Sequence, residues 1–162
     1  MLVFAIDTAT LQGSLGFVKL ESDVPHSPVF RFATLSAPAV PGHAETILER
    51  METVLSYGGY VLKDVDLLVF GRGPGTFTGV RIGLSTVKGI ALALDKPVIG
   101  VSSLEAIALA SGREGLVASL IDAKRKELFA ALFRVSISDD GRPLAGPITY
   151  LRIDPPLPNN CP

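Results

Sequence analysis

The residues best placed to do chemistry lie in "GRGPGTFTGVRIGLSTVKG", Gly71 to Gly89, where five glycines (Gly71, Gly73, Gly75, Gly79, Gly83) and a proline fall within thirteen positions. They follow an apolar run and open a helical pattern. That is the form of a phosphate cradle, in which backbone N–H groups at a helix start attract an anion. The specific motifs are missing. A P-loop needs Gly-Lys-Ser/Thr after a spacer, but Lys88 stands between Val87 and Gly89. The dinucleotide fingerprint needs a third glycine where Thr76 or Thr78 stands. The competing reading is a tight turn with glycines at positive φ and Thr76 or Thr78 as helix N-cap.

Two acids, Asp7 and Asp122, each end an apolar strand-like run. Facing lobes would bring such acids to one cleft, where they would hold Mg²⁺ or orient water; otherwise each caps its own turn. With Asp7, the hydroxyls of Thr8 and Thr10 complete a candidate nucleotide or phosphate set. His26 and His43 sit in unrelated segments and the single cysteine, Cys161, is next to last, which makes a poor metal set and no disulfide framework. No Gly-x-Ser-x-Gly elbow occurs.

The elements that must position these residues follow from periodicity. "LVFAID", "GSLGFVKL" and "VFRFATL" predict three strands. Ala44, Ile47, Leu48, Met51, Val54 and Leu55 recur at helical spacing, and Gly58 and Gly59 stop that helix. Strand "DLLVFG", the glycine loop, a helix to about Leu94, strand "KPVIGV" and a short helix capped by Ser102 or Ser103 come next. From Gly115 the order restarts: "GLVASLIDA" resembles "LVFAIDTA", "ELFAALFRV" follows it as a hairpin strand, and "GPITYLRI" makes a third. The expected fold is α/β. A βββαβαβα lobe over residues 1–101, a mixed sheet with helices on its faces, precedes a partial second lobe over 102–154 and a disordered Pro-rich tail over 155–162.

The chain has 162 residues, is 48% hydrophobic and carries a net charge of -1, so it lacks the basic excess of an independent nucleic-acid binder. The sparse cysteine and the absence of a signal-peptide pattern predict a cytoplasmic protein. No apolar run is expected to reach the roughly 18 residues of a membrane span. The helix after the glycine loop shows only Arg81, Ser85 and Lys88 as a polar stripe and is apolar over most of its girth. It must be covered on more than one side. This predicts a subunit interface built from Glu45, Leu48, Met51, Glu52, Leu55, Gly79, Gly83, Leu84, Val87, Ile90 and Ala91. Gly79 and Gly83 would admit the partner's backbone, so Gly83→Leu is expected to block association while sparing the fold.

The set "IDTAT", "GHAE", "GRGPGTFTGVRIGLSTVKGIALAL", "VSSLEAIA" and "IDAKRKELFAALF", from Met1 to about Phe133, resembles the bacterial tRNA threonylcarbamoyladenosine biosynthesis protein TsaB (YeaZ) family, of the actin/sugar-kinase/Hsp70-like superfamily. The resemblance implies an actin-like (ribonuclease H-like) lobe. It implies a non-catalytic partner of a catalytic paralogue, TsaD, which transfers threonylcarbamoyl to N6 of the adenosine beside the tRNA anticodon. A TsaE-like ATPase would join them. It also implies self-dimers when the paralogue is absent, tRNA contact only through the complex, and no cofactor of its own, with ATP/Mg a candidate only at a shared interface. Where the paralogue has its metal-binding histidine pair, this chain has Ser103 and Ile107, so a metal is not expected. Family chains run well past 200 residues, and this one is short at its C-terminus. The second reading is a nucleotide-dependent phosphotransferase of the same superfamily working through Asp7, Thr8 and Thr10. A metalloprotease ranks last, since no helix carries two ligands with a base.

Overall fold

The apolar runs pair as their burial demands. In the computed structural model, which describes residues 1–21, 29–38, 44–124, 126–137 and 143–153, with side chains for 1–20, 47–124 and 126–137, the chain forms two compact units, Met1–Val101 and Ser102–Pro162. His26, His43 and the tail 155–162 lie outside the described residues.

In the first unit β1 (Leu2–Asp7), β2 (Gln12–Glu21), β3 (Val29–Pro38), β4 (Leu67–Gly71) and β5 (Val98–Val101) form one sheet of order β3-β2-β1-β4-β5. β1 is antiparallel to β2 and parallel to β4, and β4 is parallel to β5. The sheet has the actin-like order, and two helices, α1 (Ala44–Ser56) and α2 (Phe77–Leu94), make the crossovers. Both crossovers step the same way along the sheet. Right-handed connections then put both helices on one face rather than on two. Burial agrees: Leu2, Phe4, Ile6, Leu15, Phe17 and Leu68 share that face and join Met51, Val54, Leu55, Val87 and Ile90 in one core.

The helix ends are where the sequence marks them. Gly59 takes φ 75° just beyond α1, and the N–H of Tyr60 donates back to the Leu55 carbonyl. Thr76 is the N-cap of α2, its hydroxyl accepting from the Gly79 N–H, and Asp95 closes the helix at φ 51°. By length and composition α2 could cross a membrane, contrary to the expectation of no such run. Gly79, Gly83, Val87 and Ile90 are instead buried within this unit, while Arg81 and Lys88 face out.

Asp66 fastens β4 to the start of β1. Its carboxylate accepts the Leu2 N–H at 2.7 Å, and its own N–H donates to the Leu2 carbonyl at 2.8 Å. That backbone hydrogen bond, with the N-terminal ammonium, Lys96 and Lys19 assisting, holds the carboxyl below the usual aspartate range. A depressed folded pKa gives stability that is present above about pH 4 and is lost as pH falls through the lower folded value. Asp66→Asn should therefore unfold at a lower temperature than the parent at pH 7, and the gap should close near pH 2. Thermal unfolding at both pH values measures it.

In the second unit β6 (Gly115–Lys124), β7 (Glu127–Ile137) and β8 (Pro143–Ile153) form an antiparallel sheet of order β6-β7-β8. Helix α3 (Ser103–Ala110), N-capped by Ser102, packs Leu104 and Ala108 on Ile121, Ala131, Phe133 and Val135.

Candidate functional site

The glycine loop is filled by its own chain. A Cβ on Gly71 would collide with the Asp7 carboxylate, one on Gly75 with the Ala9 carbonyl, and one on Gly79 with the Thr8 carbonyl. On Gly83 it would stand 2.5 Å from Thr8 Oγ1. The segment that leaves β1, Asp7 to Ala9, thus lies directly against the loop and the first two turns of α2. Hydrogen bonds lock it there: Thr8 Oγ1 donates to the Gly79 carbonyl at 2.7 Å, and the Thr76 N–H donates to the Ala9 carbonyl at 2.7 Å. Gly73 has φ 85°, which suits only glycine at this bend.

This corrects two expectations. What approaches Gly79 and Gly83 is Thr8 of the same unit, through its backbone carbonyl at Gly79 and its side chain at Gly83, not the backbone of a partner. Thr8 is 8% exposed with its hydroxyl proton already donated, so it serves as an internal clamp rather than a phosphate ligand. Asp7 accepts the Ala9 N–H at 2.7 Å, as a strand-end Asp capping its own turn does. Thr10 donates to the Gln12 carbonyl at 2.7 Å. Asp122 belongs to the second unit, where it accepts from the Lys124 N–H at 2.8 Å and pairs with the Lys124 ammonium at 3.2 Å. Those contacts, the backbone one first, lower its pKa. At the two positions where the paralogue's histidines would fall, Ser103 is buried and Ile107 is exposed. Among the described residues no three His, Cys, Asp or Glu side chains gather as a metal set.

The outward surface of the helices is a different set from the one expected. Met51, Leu55, Gly79, Gly83, Val87 and Ile90 are core residues, because the covered face of each helix is turned to the sheet. Leu48 and Glu52 are exposed, Leu84 and Ala91 are half-buried, and the Glu45 side chain lies outside the described residues. Between α1, α2 and the short 3₁₀ turn Leu62–Asp64 runs a groove of about 550 Å³. Leu48, Leu62, Ser85, Thr86, Gly89, Ile90, Ala93 and Leu94 line it. A methyl group on Gly89 would meet nothing within 4 Å, so this residue forms an open floor. Leu92, 86% exposed, stands on the same helix, and Tyr57 and Val61 are exposed just beyond α1. Periodicity missed Leu62, Gly89 and Ala93. The first sits in a short turn, and the other two are small residues on a helix that looks apolar all round.

Comparison with known proteins places this architecture. A family model described as TsaD, tRNA N6-adenosine threonylcarbamoyltransferase, matches residues 37–141. The structure of YeaZ from Pseudomonas aeruginosa superposes with a TM-score of 0.72 at 30% identity, covering 96% of this chain and 71% of that one. The chain belongs to the TsaB (YeaZ) family. The Escherichia coli TsaB is 36% identical over 137 residues, 83% of this chain and 55% of its own length. The Bacillus subtilis TsaB is 31% identical over 136 residues, 83% of this chain and 56% of its own length. The chain thus spans about half the length of the curated TsaB relatives it matches.

Proposed function

We propose that this chain is a non-catalytic partner subunit in tRNA threonylcarbamoyladenosine formation, docking on a TsaD-like transferase through the outward faces of α1 and α2. The observation that carries this reading is the pairing of a filled glycine loop with an open apolar groove. The loop that would hold a phosphate is occupied by Thr8 and Ala9, while along the groove Leu48 and Ala93 are exposed and Leu62 and Leu94 half-buried. Contiguous exposed apolar surface of this kind marks a protein interface. The charges on the two helices add direction: α1 exposes Glu49 and Glu52, with Arg50 half-buried, and α2 exposes Arg81 and Lys88. An acidic helix beside a basic one is self-complementary under a two-fold axis, so the same face suits a self-dimer when the transferase is absent. A TsaE-like ATPase would complete the assembly, which works in the cytoplasm and meets tRNA through its combined surface. The chain itself would contribute no catalytic group.

The test is the mass in solution, alone and mixed with a TsaD-like protein, by light scattering after size exclusion. A self-dimer that exchanges into a one-to-one heterodimer is expected. A monomer that ignores the transferase while binding Mg-ATP, with binding lost in Asp7→Ala, would replace this reading with the phosphotransferase one.

A further inference from the structure

The groove occupies one side of α2 and leaves a second stripe of the helix uncovered. At 3.6 residues per turn, consecutive residues stand about 100° apart around the axis, so Lys88 and Gly89 face different ways. Thr86, Gly89, Ile90 and Ala93 turn to the groove. Phe77, Arg81 and Lys88 recur at the spacing that puts them one above another on the other stripe. All three are exposed, Phe77 at 73%. The Arg81 guanidinium lies over the Phe77 ring, 4.8 Å from its centroid. That is cation–π range, and it holds the ring with one face covered and the other open.

The charge around this pair has one sign. From Leu67 to Leu94 the chain carries Arg72, Arg81 and Lys88 and no acid. Arg72 is exposed in the glycine loop that leads into α2. Among the described residues none of these three cations has a carboxylate partner. Asp7, which lies against Gly71, is half-buried and already accepts the Ala9 N–H. The net charge of -1 belongs to the whole chain, and this surface is locally cationic. A single exposed aromatic is ordinary. An aromatic steadied by a guanidinium among unpaired cations is the combination that takes single-stranded nucleic acid, where bases stack on flat side chains and cations follow the phosphates. An acidic peptide would match the charge but would give the open ring face nothing to stack on. A free nucleotide needs an enclosed cleft, and this is an open surface. Arg81 and Lys88 stand about 10 Å apart along the helix axis, a spacing that meets successive phosphates of a strand.

We propose that Phe77, Arg81 and Lys88, with Arg72, form a single-stranded RNA contact made by this chain itself. An unstacked base lies on the open face of Phe77. Arg81 holds the ring from the other side and, with Lys88 and Arg72, takes the adjoining phosphates. The occupant to which we commit is the unpaired loop of a structured RNA, because a base inside a duplex cannot reach the ring. This goes beyond the function proposed above, in which RNA is met only through the combined surface of the assembly, and it uses the stripe of α2 that the groove leaves free.

The experiment is fluorescence anisotropy of the purified chain with a labelled RNA hairpin that carries an unpaired loop, at about 50 mM salt, where phosphate contacts count most. The hairpin should bind at least about tenfold more tightly than a blunt RNA duplex of equal length. Phe77→Ala, at an exposed position whose melting temperature checks the fold, should weaken hairpin binding about tenfold or more without changing its salt dependence, and Phe77→Tyr should restore it. Arg72→Gln and Lys88→Gln should each lower the slope of log affinity against log salt by about 0.7. Gly89→Leu should bind the hairpin as the parent does while losing the transferase, so the groove and the RNA contact fail separately. No binding of the hairpin, equal affinity for hairpin and duplex, or undiminished binding by folded Phe77→Ala would each overturn the proposal. So would displacement of the hairpin by an equimolar amount of ATP, because the site would then take a free nucleotide. Loss of transferase binding in Phe77→Ala with RNA binding intact would likewise overturn it and make Phe77 a protein anchor.

Discussion

Gly79→Ala should cost the first unit about 3 kcal/mol, the upper range for forcing a methyl into a packed site. The added Cβ would collide with the Thr8 carbonyl and stand 2.6 Å from Thr76 Oγ1. Neither obstacle is the far end of a flexible side chain. Thr8 is held by its own hydrogen bond to Gly79, and Thr76 is the N-cap that accepts the Gly79 N–H. Relief therefore requires α2 to move off β1, which uncovers core at Val87 and Ile90. Helix propensity works the other way, favouring Ala over Gly by about 1 kcal/mol, and is outweighed. Gly89→Ala is the internal control, since it lies in the same helix with nothing within 4 Å of the new methyl. It should raise stability by about 0.5–1 kcal/mol. For a unit of this size the two changes should move the melting temperature about 10 °C or more down and a few degrees up. Equal melting temperatures would mean that the β1 exit does not press on the loop as described.

The same contrast shows what could be read from the sequence and what could not. A run of glycines before a helix says that something approaches closely, but not what. The approaching group, Thr8, lies 71 residues from Gly79 in sequence, and only the parallel pairing of β1 with β4 brings the two together. Local pattern was sufficient for the strands and for α1, whose apolar positions repeat cleanly and whose stop at Gly58–Gly59 is built from backbone conformation. It was insufficient for α2. On a helix with only Arg81, Ser85 and Lys88 as polar markers, periodicity cannot separate residues turned to the core from residues turned to the groove. Val87 went to the first, Gly89 and Ala93 to the second, and Ile90 is shared, buried in the core and lining the groove. The single-sided placement of α1 and α2 was legible in principle, because two right-handed crossovers in one direction require it. That inference needs the strand order, which a hairpin signal alone does not supply.

With the proposed interface centred on Gly89 rather than Gly83, the decisive variant changes. Gly83→Leu, buried against Thr8 Oγ1, tests the fold and not the partner. Gly89→Leu tests the partner. Its Cβ enters open space on the groove floor, so the fold should survive, with a melting temperature within a few degrees of the parent. Its side chain should fill the groove bounded by Leu48, Leu62, Ala93 and Leu94 and exclude the apolar side chains of the partner. Centrally placed, desolvated pockets carry most of an interface's free energy, so the expected loss is about 3 kcal/mol, or more than 100-fold in the affinity for a TsaD-like protein. The self-dimer, if built on the same face, should dissociate in parallel, since an isologous contact meets the new side chain twice. Loss of both associations in a folded Gly89→Leu protein would tie the scaffold role to this groove. Retention of both would move the docking surface elsewhere on the unit and leave the uncovered apolar residues of α1 and α2 without a partner.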